Sequence, residues 1–304
     1  MKPSLKPVHH ITLRKDITAN ELLKEFSKAG VMQAGKLGKA VEIYRKMLAD
    51  RQCIKFLGLA GAMVPGGMKN IITDMIEKNM VDALVLTGAT LTHDLVESLG
   101  YQHLKGSEHA DDEELNKQGF DRMYNSYMQN QAYPDLEDFV HSVMKNMQGN
   151  ISITEFLRQF GKYCKPGTIL RICADKKIPV FCPGLPDSGL GLQIWGYMQN
   201  HGFKIYAFDD LTEILDLAWN AKKLGVIYVG GGLPKNYIQQ AMQFGPIKAS
   251  YGIQITTDRA EHGGSSGAPL VEGVSWGKLE ANADFVDVHC DATIALPLLV
   301  AALL

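Results

Sequence analysis

Lys278 is the residue in this sequence best suited to act as a nucleophile. It closes the run Val274-Ser275-Trp276-Gly277-Lys278, just after Glu272 and downstream of the small-residue stretch Gly263-Gly264-Ser265-Ser266-Gly267. A lysine amine attacks carbon only when deprotonated, and burial against an aromatic wall lowers its pKa, so Trp276 would prepare Lys278 for Schiff-base chemistry. Glu272 supplies a carboxylate able to hold an ammonium group, and Trp276 adds cation–π attraction of about 0.5–2 kcal/mol. A surface lysine laying its stem along a tryptophan has the same signature, so both readings stand on the residues alone. Gly230-Gly231-Gly232 is the second chemical signal. Its amides can approach an anion at the start of a helix near Pro234, although a tight strand-to-helix turn reads the same way. Gly58 to Gly67 does not spell the G-x-G-x-x-G dinucleotide fingerprint. His103 and His109 flank the acidic loop Asp111–Glu114 without the spacing of metal ligands, so no metal site is expected. No G-x-S-x-G elbow or P-loop is present, which disfavours hydrolase and NTPase readings.

These residues need a frame. Thr18 and Glu21 form a capping-box pattern ahead of Leu22, Leu23 and Phe26, with Gly30 as a stop, and a second helix is predicted over about Leu37 to Leu48. Apolar runs from Ile54, at Val81–Leu86, Val180–Cys182, Val226–Val229 and Phe285–His289 are each followed by a turn or loop, the grammar of a parallel sheet with crossover helices. The expected fold is therefore α/β, a Rossmann-like, doubly wound, mostly parallel sheet. Residues 1–50 form a helical lead-in and residues 51–304 one cofactor-binding domain. Tyr101 to Asp138 reads as an insertion with its own helices. Ser152 and Glu155 repeat the capping-box signal, and Ala292–Leu304, interrupted by Pro297, reads as a buried terminal helix. Ligands of such sheets bind at the carboxyl ends of the strands, here the loops after Leu59, Leu86, Cys182, Val229 and His289.

Composition bounds the partners. Lysine plus arginine number 31 against 33 acidic residues in 304, a balance that gives no electrostatic case for nucleic acid or an anionic membrane. Five scattered cysteines without a C-x-x-C pair fit reduced thiols in the cytoplasm. Met1 to Asp16 lacks the apolar core of a signal peptide, and the Ala292–Leu304 stretch is too short to span a bilayer.

Taken together, Ser266-Gly267-Ala268, Glu272, Val274-Ser275-Trp276-Gly277-Lys278, Asp291-Ala292-Thr293 and Leu296-Pro297-Leu298 resemble the C-terminal signature of deoxyhypusine synthases. The resemblance extends upstream to Phe56-Leu57-Gly58, Asn79-Met80-Val81-Asp82, Ile178-Pro179-Val180-Phe181 with Asp187, and Gly230-Gly231-Gly232 with Lys235, covering most of the chain from about residue 37. It implies a Rossmann-like homotetramer with active sites at subunit interfaces, using NAD and no metal. It further implies oxidation of spermidine, transfer of its aminobutyl group to Lys278 as an imine, and delivery to a lysine of the initiation factor 5A precursor. On this resemblance, Gly61, Ala62, Met63, Val64, Pro65, Thr87, Gly88, Ala89, Asp187, Gly231, Thr257, Asp258, Asp291 and Ala292 fall on NAD positions. Glu272, Trp276, Asn236, His262, Ser265 and His93 fall on substrate positions.

The chain also departs from the family pattern. Thr92 and His93 replace a pair of glutamates, Leu192 and His262 replace aspartates, Asn236 replaces a histidine, and Ser265 stands where some members have aspartate. These changes remove counter-charges that would offset the desolvation of a polyamine. Homospermidine-type transfer between small amines is therefore an alternative to modification of a protein lysine. A non-catalytic regulatory paralog is a second alternative, opposed by retention of Lys278 and Trp276. A Rossmann dehydrogenase of unrelated substrate is a third, and it would have no need of Lys278.

Overall fold

The computed structural model describes residues 5–304, so the first four residues of the lead-in, and of the segment read for a signal peptide, lie outside the described residues. Six parallel strands form the central sheet: β1 (Cys53–Leu59), β2 (Ala83–Leu86), β3 (Val180–Phe181), β4 (Lys223–Val229), β5 (Ala249–Thr256) and β6 (Leu279–His289). Their spatial order is β6-β5-β4-β1-β2-β3. This is the doubly wound order of dinucleotide-binding sheets, and the direction of winding reverses between β1 and β4.

Burial explains why β1, apart from Lys55, reads as an apolar run. Phe56 joins the core on the face of the helix Gly232–Gln243, whereas Leu57 joins the larger core on the opposite face. A strand covered on both faces has no polar side to alternate.

The lead-in helices follow their sequence signals. In Ala19–Ala29 the Thr18 side chain accepts from the Glu21 amide, the Glu21 carboxylate accepts from the Thr18 amide, and Gly30 ends the helix with φ 70°. Such an N-cap is worth about 1 kcal/mol. The next helix, Met32–Ala49, lies along β6: Lys39 Nζ donates to the Phe285 carbonyl at 3.0 Å, the His289 amide donates to Gln33 Oε1 at 2.8 Å, and Lys46 pairs with Asp284. The terminal helix Ala292–Ala301 buries Leu296 and Leu299 and carries Pro297 inside it. Among the described residues no helix is long and apolar enough to cross a membrane. All five cysteines are free thiols, four of them buried.

Three regions differ from the sequence reading, one of them a two-stranded parallel sheet of Ile151–Ser152 and Ile205–Tyr206. β5 was not among the expected strands; Gly252 and Gln254 interrupt its apolar run, yet it pairs with both β4 and β6. The middle of the chain has helices Asp112–Lys117 and Ala132–Met144, as expected, but also an antiparallel sheet of Leu104–Lys105, Phe120–Met123 and Ser126–Gln129. The last two strands form a hairpin around Tyr124-Asn125, with Tyr124 in the left-handed region at φ 56°. These strands are too short to leave a period-two pattern in the sequence.

Candidate active site

A cleft of about 540 Å³ opens where the sheet reverses its winding. The loop after β1 gives Ala60, Gly61 and Met63, and the loop after β4 gives Gly230, Gly231 and Gly232. The far wall is Ile255 to Asp258 at the end of β5 with Ser266, and Asp291, Ala292 and Thr293 close the end beyond β6. Gly230 (φ 75°) and Gly232 (φ 57°) hold left-handed backbone that suits glycine. Gly231 is extended, but a methyl there would lie 2.3 Å from Ser266 Cα, so the two loops meet only because the residue lacks a side chain. The helix Gly232–Gln243 starts at this contact and aims its N-terminal end at the cleft.

The charges in the cleft are acidic and locally held. Asp258 Oδ2 accepts from the Ser266 hydroxyl, while Oδ1 accepts from the Arg259 amide at 2.9 Å and pairs with His262 Nε2 at 2.8 Å. The Ser266 bond, then that of His262, pushes the Asp258 carboxyl down to about 2, and the same contact raises the His262 imidazole. Asp291 caps the terminal helix, its Oδ1 accepting from the Thr293 amide at 2.7 Å and the Thr293 hydroxyl at 2.5 Å. Glycine amides at a helix start suit a pyrophosphate, carboxylates suit ribose hydroxyls, and the volume lies in the range of ligand clefts, so the residues present fit a dinucleotide.

One continuous segment leads from this cleft to Lys278. Ser265 Oγ donates to the Gly232 carbonyl at 3.3 Å, Gln254 Nε2 to the Ser266 carbonyl at 2.8 Å, and Lys235 Nζ to the Ala268 carbonyl at 2.5 Å. The Leu270 amide donates to Asp287 at 3.0 Å. Lys235 is 2% exposed, and burial pulls its amine down to about 8 against the opposing pull of Asp287 and Glu272. Beyond these clamps the short helix Glu272–Ser275 turns into Trp276, which is 60% exposed, and Lys278, whose Nζ lies 5.1 Å from the indole centroid. Partial burial of Lys278 lowers its pKa.

The resemblance-derived positions fall into separate groups. Gly61, Met63, Gly231, Thr257, Asp258, Asp291 and Ala292 line the cleft. Ala62, Val64 and Pro65 belong to the same loop but do not line it; Val64 is buried, and the Pro65 carbonyl accepts from Ser126 Oγ of the central hairpin at 3.2 Å. Thr87, Gly88 and Ala89 begin the helix Gly88–Leu99 outside the cleft lining. They pack against the loop of Asp187, where a methyl on Gly88 would lie 2.4 Å from Ser188 Oγ. Glu272 and Trp276 bound one short helix, and Lys278 follows at the amino end of β6, where its carbonyl accepts from the Ala249 amide at 3.2 Å, whereas the cleft lies at the carboxyl ends of the strands. Ser265 and His262 sit on the segment joining the two, and Asn236 lies in the first turn of the helix Gly232–Gln243. His93 lies on the helix Gly88–Leu99: its Nδ1 meets His103 Nε2 at 3.0 Å, His103 meets Glu97 at 2.8 Å, and burial drives the His93 imidazole down to about 4. Its partners are therefore internal to its own helix and the following loop. The sequence reading singled out neither Gln254 nor Asp287, and it assigned no role to Lys235.

A family model described as deoxyhypusine synthase matches residues 21–303. The chain is 44% identical to a probable deoxyhypusine synthase 1 of Methanosarcina mazei, over 97% of this chain and 94% of the relative. It is 41% identical to a probable deoxyhypusine synthase 1 of Archaeoglobus fulgidus, over 96% of each. The crystal structure of a candidate deoxyhypusine synthase from Entamoeba histolytica superposes with a TM-score of 0.64 at 19% identity, covering 95% of this chain and 93% of that one.

Proposed function

The chain belongs to the deoxyhypusine synthase family, and from that premise we propose that it is an NAD-dependent transferase that carries an aminobutyl group on Lys278. The observation that supports this most is a lysine with a lowered amine pKa, laid against an indole, on the same clamped segment that walls the strand-end cleft. Gly61, Gly231, Thr257, Asp258, Asp291 and Ala292 would hold NAD, which supplies a hydride acceptor and later a hydride donor. Lys278 adds its lone pair to the imine carbon of an oxidised donor, and the diaminopropane nitrogen leaves with the electron pair and a proton. The acceptor amine then adds to the Lys278 imine and frees the lysine. Glu272 holds the donor's remaining ammonium group, and Trp276 faces its methylenes. The acceptor is the lysine of the initiation factor 5A precursor, and the open sides of the cleft and of Trp276 are closed by neighbouring subunits of a homotetramer in the cytoplasm.

A specific observation favours a second reading, in which donor or acceptor is a smaller amine. His262 stands where the family has a carboxylate and pairs with Asp258, while Ser265 spends its hydroxyl on a backbone carbonyl. Fewer free carboxylates remain to balance a polycation. One experiment tests both readings: incubate the protein with NAD and spermidine, putrescine or agmatine, trap with borohydride, and weigh the Lys278 peptide. An added aminobutyl mass supports the transferase; no adduct with any amine overturns it.

A further inference from the structure

Five titratable side chains form one continuous chain of contacts outside the cleft. Asp94, 0% exposed on the helix Gly88–Leu99, accepts at Oδ2 from the Ile169 amide at 2.7 Å and faces Lys69 Nζ with Oδ1 at 3.2 Å. Lys69 Nζ also lies 3.4 Å from Glu97 Oε2; Glu97 Oε1 meets His103 Nδ1 at 2.8 Å, and His103 Nε2 meets His93 Nδ1 at 3.0 Å. The chain thus runs from a carboxylate sealed in the core to a half-buried imidazole. The outer nitrogen of that ring, His93 Nε2, bonds to none of the described residues and reaches the surface.

The donors and acceptors along this chain are forced. Burial opposes ionisation of Glu97, but the His103 bond and Lys69 together hold its carboxyl below the ordinary range, so it only accepts, and His103 Nδ1 carries the proton between them. One proton fits between His103 Nε2 and His93 Nδ1, because two lone pairs or two N–H groups would repel at that separation. With His103 neutral, its Nε2 is the acceptor, His93 donates from Nδ1, and His93 Nε2 is left with a lone pair. When the pair gains a proton from solvent at His93 Nε2, the Nδ1 proton of His93 passes to His103 Nε2, and the cation is His103. We propose that His103 is the switch of a two-state hydrogen-bonding site at His93 Nε2, which takes an N–H donor such as an amine when His103 is neutral and turns it away when His103 is protonated. Burial, then the charge of His103, drives the His93 imidazole down to about 4 against the pull of Glu97, so His93 itself stays neutral in both states. The other charged groups stand behind this pair or are already engaged. Asp94, pushed up to about 6 by burial, reaches the rings only through Lys69. On the helices packed against this one, Asp135 accepts from Tyr101, His141 and His201 bond to the carbonyls of Gln193 and Tyr197, and Arg171 pairs with Asp175.

The full chain, with isotope-labelled imidazole nitrogens and without NAD or amine, is titrated from about pH 5 to about pH 9 and read by two-bond proton–nitrogen correlation, with His93→Gln and His103→Gln assigning the two rings. His93 is expected to show the neutral Nδ1–H form at the upper end and the neutral Nε2–H form at the lower end, the two exchanging at the midpoint of His103. Glu97→Gln removes the carboxylate that favours the His103 cation and is expected to lower that midpoint by about one pH unit, a tenfold loss of proton affinity. His103→Phe keeps a ring but neither nitrogen. His93 is then expected to hold one neutral pattern until it becomes cationic itself, and this variant decides the matter should Glu97→Gln fold poorly. A single His93 tautomer from end to end of the parent titration, or a His93 ring that turns cationic in the same step as His103, would overturn the proposal. Failure to form an amine adduct in the borohydride trap leaves this readout intact, so the two failures are distinguishable.

Discussion

The strand-end cleft and the Lys278 turn, at opposite ends of β6, are built on opposite principles. The cleft is made largely of backbone: glycines that admit no side chain, a helix N-terminus, and carboxylates tied down by amides and hydroxyls. The lysine turn is made of side chains on a four-residue helix, with Glu272 and Trp276 exposed and only the clamps from Lys235, Gln254 and Asp287 behind it. A site of the first kind is specified by what cannot be added to it; one of the second kind by what the side chains present. On the proposed function, binding of the cofactor and choice of the amine would fall to separable regions.

Substitutions that hit one region and spare the other test this division. The largest effect is expected for Lys278→Arg, which keeps charge and bulk but cannot form the imine. Turnover should fall on the order of 10³-fold or more while NAD affinity by calorimetry stays within about twofold. Loss of both together would mean that the regions are one unit. Gly231→Ala should do the reverse. Its methyl meets Ser266 backbone, an overpacking cost of about 1–3 kcal/mol, so NAD binding weakens about tenfold or more while formaldehyde labelling of Lys278 persists. Glu272→Gln should raise the amine KM about tenfold and leave the KM for NAD unchanged; an equal rise in both would place Glu272 with the cleft.

The smallest effect concerns pH. Asp258 is lowered on folding, so its contribution to stability is present above its unfolded pKa near 3.8 and is lost as pH falls toward 2. His262 is raised, so its contribution is full below 6.5 and fades as pH rises through its folded value. The pair therefore helps most between about pH 4 and 6.5. His262→Ala should flatten the slight fall in melting temperature between pH 6 and 8, and an unchanged slope would show that the pair adds nothing there.

Local signals were legible and distant ones were not. The Thr18–Glu21 box and Gly30 define a helix to the residue because a cap is a bond between neighbours. Five of the six sheet strands announced themselves as apolar runs before turns. β5 did not, because Gly252 and Gln254 lie in its middle, and Gln254 has meaning only beside Tyr228 of β4 and Asp287 of β6. The Gly230-Gly231-Gly232 turn was visible, but its reason, the close approach of Ser266, was not. The Lys235–Ala268 bond joins residues 33 apart in the chain, and no spacing rule reports it. His93 falls on a substrate position by the family pattern, and its bond to His103, ten residues away, is another contact that no spacing rule reports.

The helix that lies along β6 has a consequence for assembly. Along the carboxyl half of that margin the Phe285 carbonyl and the His289 amide already bond to helix side chains, while the opposite margin, β3, is two residues long. That half of β6 and the short β3 margin therefore make poor templates for adding a strand from another molecule.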